Sequence, residues 1–134
     1  MTREKTALVT GGAGFIGSTL VDRLLAEGHQ VMVVDDFSSG RQANLESARA
    51  NYGNRLSVKE LDVRQAETSD LIADLKPEVV FHLAAQVDVR HSVSDPIFDA
   101  EVNILGTLRV LEGARRGGTN KVVVAVSGGT LYGE

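Results

Sequence analysis

Residues 9–17 read Val9-Thr10-Gly11-Gly12-Ala13-Gly14-Phe15-Ile16-Gly17, a glycine-rich turn set between an apolar run and an amphipathic one. Gly11, Gly14 and Gly17 fall three residues apart. That spacing fits a tight turn at Gly11, a close backbone approach to a pyrophosphate at Gly14, and a helix packed close to the preceding strand at Gly17. The start of that helix offers unpaired N–H groups and the positive end of the helix dipole to the phosphates. A glycine triplet alone is weak. Here a strand pattern (Thr6–Thr10) precedes it and a helical pattern (Ile16, Leu20, Leu24) follows, and Asp35 closes the next apolar run 18 residues after Gly17.

Outward from this turn the chain alternates short β-rich runs with longer helical ones. Strands are predicted over 6–10, 30–35, 56–61, 78–83 and 121–126. Helices are predicted over 15–27, 41–52, 66–75 and 96–116. Gly28 ends the first helix, Pro77 stops the third, and Asp95 with Pro96 caps the start of the fourth. Strands alternating with helices imply an α/β fold with a parallel sheet covered on both faces. The continuously apolar runs Val31–Val34 and Val122–Val126 fit strands buried on two sides. With the glycine turn first, the expected architecture is a Rossmann-type doubly wound sheet of strand order 3-2-1-4-5. The ligand then lies across the carboxyl ends of strands one and four.

Composition restricts the function. The 134 residues, 43% hydrophobic and 24% charged, suit one globular domain spanning 1–134. A net charge of −4 gives no reason to expect nucleic acid or an anionic membrane as partner. Cysteine is absent, which excludes disulfides and thiolate metal sites and fits a cytoplasmic location. The three histidines are not at zinc-ligand spacing, so no metal is expected. No apolar run is long enough to cross a membrane, and the first residues lack a signal-peptide core.

Asp35, at the end of strand two, can accept from both hydroxyls of an adenosine ribose and repels a 2′-phosphate, so it points to NAD rather than NADP. Asp62, after strand three, is placed to accept from an adenine amino group or simply to end the strand. Ala84 and Ala85 after strand four let backbone approach a ligand. His82 reads as a packed strand residue rather than a catalyst, having no evident partner. Asn103 lies within a predicted helix, where a short amide is mildly unfavourable; it either faces water or reaches a strand end. Ser127 and Thr130 put hydroxyls at the sheet's carboxyl edge.

Together these segments resemble the extended short-chain dehydrogenase/reductase family, the NAD-dependent nucleotide-sugar epimerases of the UDP-glucose 4-epimerase type in particular. The motifs are Thr10–Gly17, Asp35–Gly40, Leu61–Val63, His82–Gln86, Val89–Val93 with Asp95-Pro96, Asn103 with Gly106-Thr107, and Ser127–Gly129 with Tyr132-Gly133. The resemblance implies that Gly11, Gly14, Phe15, Ile16 and Gly17 line the pyrophosphate. It implies that Asp35, helped by Asp36, Phe37, Ser38, Ser39 and Gly40, holds the adenosine ribose, and that Asp62 and Val63 meet the adenine. Ala84 and Ala85, within the segment Leu83–Gln86, approach the nicotinamide-side ribose, and Asn103 braces that region. It further implies a nucleotide-sugar substrate and a dimer through the Pro96–Arg116 helix; the apolar, uncovered edge of strand five offers a second surface for a homo-oligomer.

Two departures qualify the likeness. The family's active hydroxyl lies four residues before the Tyr of Tyr-Gly, which is Gly128 here, leaving Ser127 and Thr130 as candidates. The family's base is a Tyr with a Lys four residues later, and no Tyr-x-x-x-Lys exists in this sequence. The triplet Gly128-Gly129-Thr130 also lacks the acid pair expected of a dehydratase. The sequence therefore reads as the cofactor-binding portion of a nucleotide-sugar 4-epimerase, truncated after strand five and inactive alone. The alternatives are a non-catalytic NAD-binding module or a fragment of a nucleotide-sugar dehydratase or reductase.

Overall fold

Strands β1 (Thr6–Thr10), β2 (Gln30–Asp35), β3 (Leu56–Glu60), β4 (Val79–His82) and β5 (Lys121–Val124) pair in parallel as one sheet, in the order β3-β2-β1-β4-β5. This computed structural model describes residues 4–133, the Thr130 side chain excepted. The register sets Leu8 of β1 opposite Met32 of β2 and Val80 of β4, so residues of one parity share a face across the sheet.

Two cores follow from that alternation. On one face Ala7, Val9, Val31 and Val33 meet Val21, Leu24 and Leu25 of helix α1 (Phe15–Ala26), with Leu45 and Ala48 beyond. On the other face Leu8, Val34 and Val80 meet Ile72 of α3 (Ala66–Leu75) and Val110 and Ala114 of α6 (Gly106–Gly117). Helices thus lie on both faces, as expected of strands that read as unbroken apolar runs. The cover stops short at β5. Val122 is half-buried, while Val123 and Val124 are exposed and β5 forms an edge of the sheet.

The structure corrects several sequence-derived boundaries. The 41–52 helix is a 3₁₀ turn (Gln42–Leu45) running into α2 (Glu46–Tyr52), because the Asn44 N–H donates three residues back to Arg41 O, at 3.0 Å. A short helix, α4 (Val89–Ser94), was not anticipated; Asp88 caps it by accepting from the N–H groups of Arg90 and His91. The 96–116 helix is three segments: α5 (Pro96–Ala100), a π turn (Glu101–Leu105) and α6. Its start is as expected, with Asp95 accepting from Phe98 N at 3.1 Å and Pro96 in the first turn. β5 ends at Val124 rather than Val126, since its partner β4 ends at His82 and only Ala125 N→His82 O continues the ladder. A short helix, α7 (Gly128–Tyr132), then replaces the expected turn.

The apolar residues of 96–116 form two stripes, and in one of them Phe98 and Val102 are half-buried while Leu105 is exposed. Ile97, Ile104, Leu108 and Leu111 face outward, and residues from Pro96 to Leu108 line an apolar groove of about 430 Å³. Burial also decides which truncations matter. Replacing Ile72, fully buried between the sheet and α6, with Ala is expected to cost about 2–5 kcal/mol in urea denaturation. Val93→Ala on exposed α4 should stay within about 0.5 kcal/mol of the unmodified chain.

Candidate functional site

All five strands are parallel, so their carboxyl ends share one edge, and the candidate residues follow those ends. Gly11, just after β1, has φ +70°, a left-handed backbone that favours glycine. A Cβ there would sit 2.9 Å from Ala84 N, so only a glycine lets the turn approach the end of β4 this closely. At Gly17 a Cβ would run into the carbonyl oxygen of Gly11, which holds α1 tight against the turn. Gly14 is the N-cap of α1 and has no side chain to occupy the first-turn N–H groups. Phe15 and Ile16 beside it are largely exposed. This helix start faces open space with donors free to meet an anion.

The turn is held from behind at Ala13, which is fully buried. Its N–H donates to Asp35 Oδ2 at 3.0 Å. Its carbonyl oxygen accepts from Asn44 Nδ2 at 2.8 Å and from Arg41 N at 3.1 Å. Asp35 is itself buried, and its Oδ1 accepts from Phe37 N at 2.9 Å. Each carboxylate oxygen thereby keeps a further lone pair for an incoming hydroxyl. Asp36 Oδ1 takes both N–H and Oγ of exposed Ser38, at 2.9 and 2.7 Å, and Gly40 packs against Ala13 and Asp35. Phe37 adopts a left-handed backbone (φ +59°), rare for a bulky residue, while its ring packs on the α1-side core.

Asp62 is already engaged. Its Oδ1 accepts from Arg64 N and Nε and its Oδ2 from Arg64 Nε and Nη2, at 2.6–3.1 Å. Hydrogen bonding from Arg64 holds the Asp62 carboxyl below its ordinary range, against the opposing effect of partial burial. Arg64 also reaches Glu101 at 3.1 Å and lies over the Phe98 ring. An adenine amino group would have to displace one of these bonds. Val63 is buried with its side chain under Gly106, so the Asp62–Val63 segment presents backbone more than side chain.

After β4, Leu83 and Ala84 are half-buried and Ala85 is exposed. The sequence left two destinations open for Asn103. Its amide reaches the strand end: Oδ1 accepts from Gln86 N at 2.8 Å, and Nδ2 donates to Gln86 O at 3.0 Å and to Asp99 Oδ1 at 3.2 Å. The π turn carries Asn103 at its centre, a placement common where a helix serves a site.

His82 is a buried strand residue, as expected, but it has partners that sequence reasoning missed. Thr10 Oγ1 lies 2.7 Å from its Nδ1 and Thr107 Oγ1 lies 3.0 Å from its Nε2. Burial pushes the imidazole below its ordinary value. Asn44 was missed too; an amide within a short 3₁₀ turn leaves no periodic signal. Ser127 is exposed at the foot of α7, and the Thr130 side chain lies outside the described residues. Among those residues no three His, Cys, Asp or Glu side chains converge as metal ligands would, and no helix is long and apolar enough to cross a membrane.

A doubly wound sheet with this turn at its switch point defines a Rossmann-type α/β domain, and comparison with known proteins narrows the class. The sequence model of the GDP-mannose 4,6 dehydratase family matches residues 8–134, and the chain belongs to that family. It is 56% identical over 126 residues to a UDP-glucose 4-epimerase of Mycolicibacterium smegmatis, covering 94% of this chain and 40% of that protein. Among solved structures, the UDP-glucose 4-epimerase of Thermotoga maritima, with UDP-glucose, matches at TM-score 0.86 and 43% identity, over 96% of this chain and 40% of that one. The UDP-glucose 4-epimerase of Thermus thermophilus, in complex with NAD, matches at TM-score 0.76 and 40% identity, over 87% and 36%. The chain therefore spans about 40% of the length of such relatives.

The clamp at Ala13 is directly testable. Asn44→Ala should destabilise the chain by about 1 kcal/mol, the usual effect of losing a partly buried hydrogen bond. It should also raise amide hydrogen exchange at Ala13 and Arg41 while leaving α3 and α6 unchanged.

Proposed function

We propose that this chain is the NAD-binding portion of a UDP-sugar 4-epimerase. The observation that carries this reading is the cleft itself. An uncapped helix start faces open space, and the buried carboxylate of Asp35 fixes the loop behind it while retaining lone pairs for a ribose. In that fit the backbone of Gly11–Gly17 takes the pyrophosphate and Asp35 the adenosine ribose. Ala84 and Ala85 border the nicotinamide side, with the Gln86 peptide fixed by Asn103. NAD supplies a hydride acceptor to the chemistry; the residues named here bind and orient it. The UDP-sugar is supported by the names of the relatives and by the acid-free Gly128-Gly129-Thr130 triplet, which counts against a dehydratase. Ser127 and Thr130 remain the hydroxyls proposed to meet the sugar.

Titration and turnover test this reading. NAD should bind the purified chain, and NADP about tenfold or more weaker, because its 2′-phosphate would meet the Asp35 carboxylate. Equal binding of both cofactors refutes the Asp35 assignment. UDP-galactose should not be converted at a measurable rate, since losing a positioned acid–base group alone typically costs about 10²–10⁴-fold. Conversion by chain free of host enzyme would refute that.

We also propose that the chain self-associates through the outward stripe of Ile97, Ile104, Leu108 and Leu111, the edge of β5, or both. Sedimentation across a concentration series should show dimers or larger species. Leu105→Glu combined with Val124→Lys should shift them toward monomer, and Val124→Lys alone reports which surface dominates.

A further inference from the structure

Hydrogen-bond direction can be assigned through the centre of the cleft without choosing a tautomer in advance. Thr10 Oγ1 accepts from two backbone donors, Ala84 N at 3.1 Å and Leu83 N at 3.0 Å, the latter shared with the Thr10 carbonyl oxygen at 3.2 Å. A hydroxyl has two lone pairs and one proton, so the Thr10 proton must go to His82 Nδ1. His82 then carries its own proton on Nε2 and donates it to Thr107 Oγ1. Thr107 donates in turn to Asn103 O at 2.7 Å. The chain of bonds runs one way, from the peptides after β4, through β1, across the ring to the π turn. The same Asn103 holds Gln86 by its amide, so both ends of the segment 83–86 are fixed by this network.

We propose that His82 is a positioning residue of the nucleotide cleft, its neutral ring holding the Leu83 and Ala84 peptides against Gly11 through Thr10. The proposal rests on the reading that the cleft takes NAD. A second proton on Nδ1 would need an acceptor where Thr10 has none left. The hydroxyl would have to release Ala84, which Gly11 approaches too closely for any side chain, or leave Leu83 with only its ladder bond to the Thr10 carbonyl.

The groups packed on the ring are few. β1 contributes the Thr10 hydroxyl and the π turn with α6 contributes Thr107, while β5 pairs at this point through Val124. Burial drives its ionisation down, and among the described residues its hydrogen bonds go to two hydroxyls and to no charged group. Cofactor affinity should therefore fall in acid through this ring.

Three measurements test the inference. Nitrogen-15 spectra of the imidazoles should show His82 as the Nε2–H tautomer at neutral pH; an Nδ1–H or charged ring overturns the proposal. On acidification of the free chain, the Ala84 amide shift should follow the His82 ring titration, and an Ala84 shift blind to it overturns the proposal without any cofactor present. NAD titrations of the folded chain from about pH 8 downward should show Kd rising as the ring takes up its proton, to about twice its pH 8 value where the nitrogen-15 titration finds the free ring half protonated. In His82→Gln, which cannot take up a proton, that rise should be absent while weaker binding persists at both pH values. Thr107→Val, which keeps the ring but removes the Nε2 acceptor, should retain a pH-dependent Kd. Equal pH ratios for the unmodified chain and His82→Gln overturn the proposal. Failure of the unmodified chain to bind NAD at about pH 8 counts instead against the NAD reading.

Far-UV dichroism monitors folding throughout. With its proton held less tightly in the folded state, His82 contributes stability that is full above the ordinary value of 6.5 and is lost as pH falls from there toward the lowered folded value.

Discussion

The peptide of Ala13 is gripped on both sides: its N–H is held by the Asp35 carboxylate and its carbonyl by two donors from the segment after β2. A glycine-rich turn has more backbone freedom than any other segment of this chain, and an anion site needs that freedom removed before the ligand arrives. Burying the clamp at Ala13 does this at the back of the turn and leaves the front open. Helix α1 then starts where the clamp puts it. The Gly17–Gly11 contact fixes its distance from β1, and the approach of Gly11 to Ala84 sets the gap to β4. The other parts of the cleft are positioned relative to this one peptide.

Polar groups at the sheet's carboxyl edge are bonded to one another rather than left waiting. Asp62 is filled by Arg64, Asn103 by Gln86 and Asp99, and Thr10 by two peptides and an imidazole. Inside a protein an unmet donor or acceptor is costly, so such a network orders its members strongly once complete. Asp35 is different. It is buried and twice bonded, yet both of its oxygens can accept once more.

The strand order was legible because the β–α alternation, with the glycine turn at its head, marks the topology. The glycine turn, Asp35 and the segment after β4 were legible because each follows a strand end. What escaped the sequence has local causes. The π turn arises inside a helix that is continuous by composition, and only the match of Asn103 to the Gln86 peptide gives it a purpose. Helix α4 is six residues long with exposed Val89 and Val93, so no apolar periodicity marks it. Asn44, Thr10 and Thr107 act through single hydrogen bonds to residues distant in sequence, and a single sequence does not display such pairs. His82 was correctly read as packed, but its two hydroxyl partners come from β1 and α6, which only the fold brings together.

Phe37 sits on the rim of the cleft in a backbone conformation that costs a bulky residue about 1–3 kcal/mol and persists only where its surroundings over-determine it. Here the ring packs into the same cluster as Leu45 and Ala48. The shape of the loop after β2 is therefore set by the tightness of a hydrophobic cluster behind it. That loop has a remote handle: a cavity opened beneath Phe37 would let it relax without any change to the polar residues at the sheet's carboxyl edge.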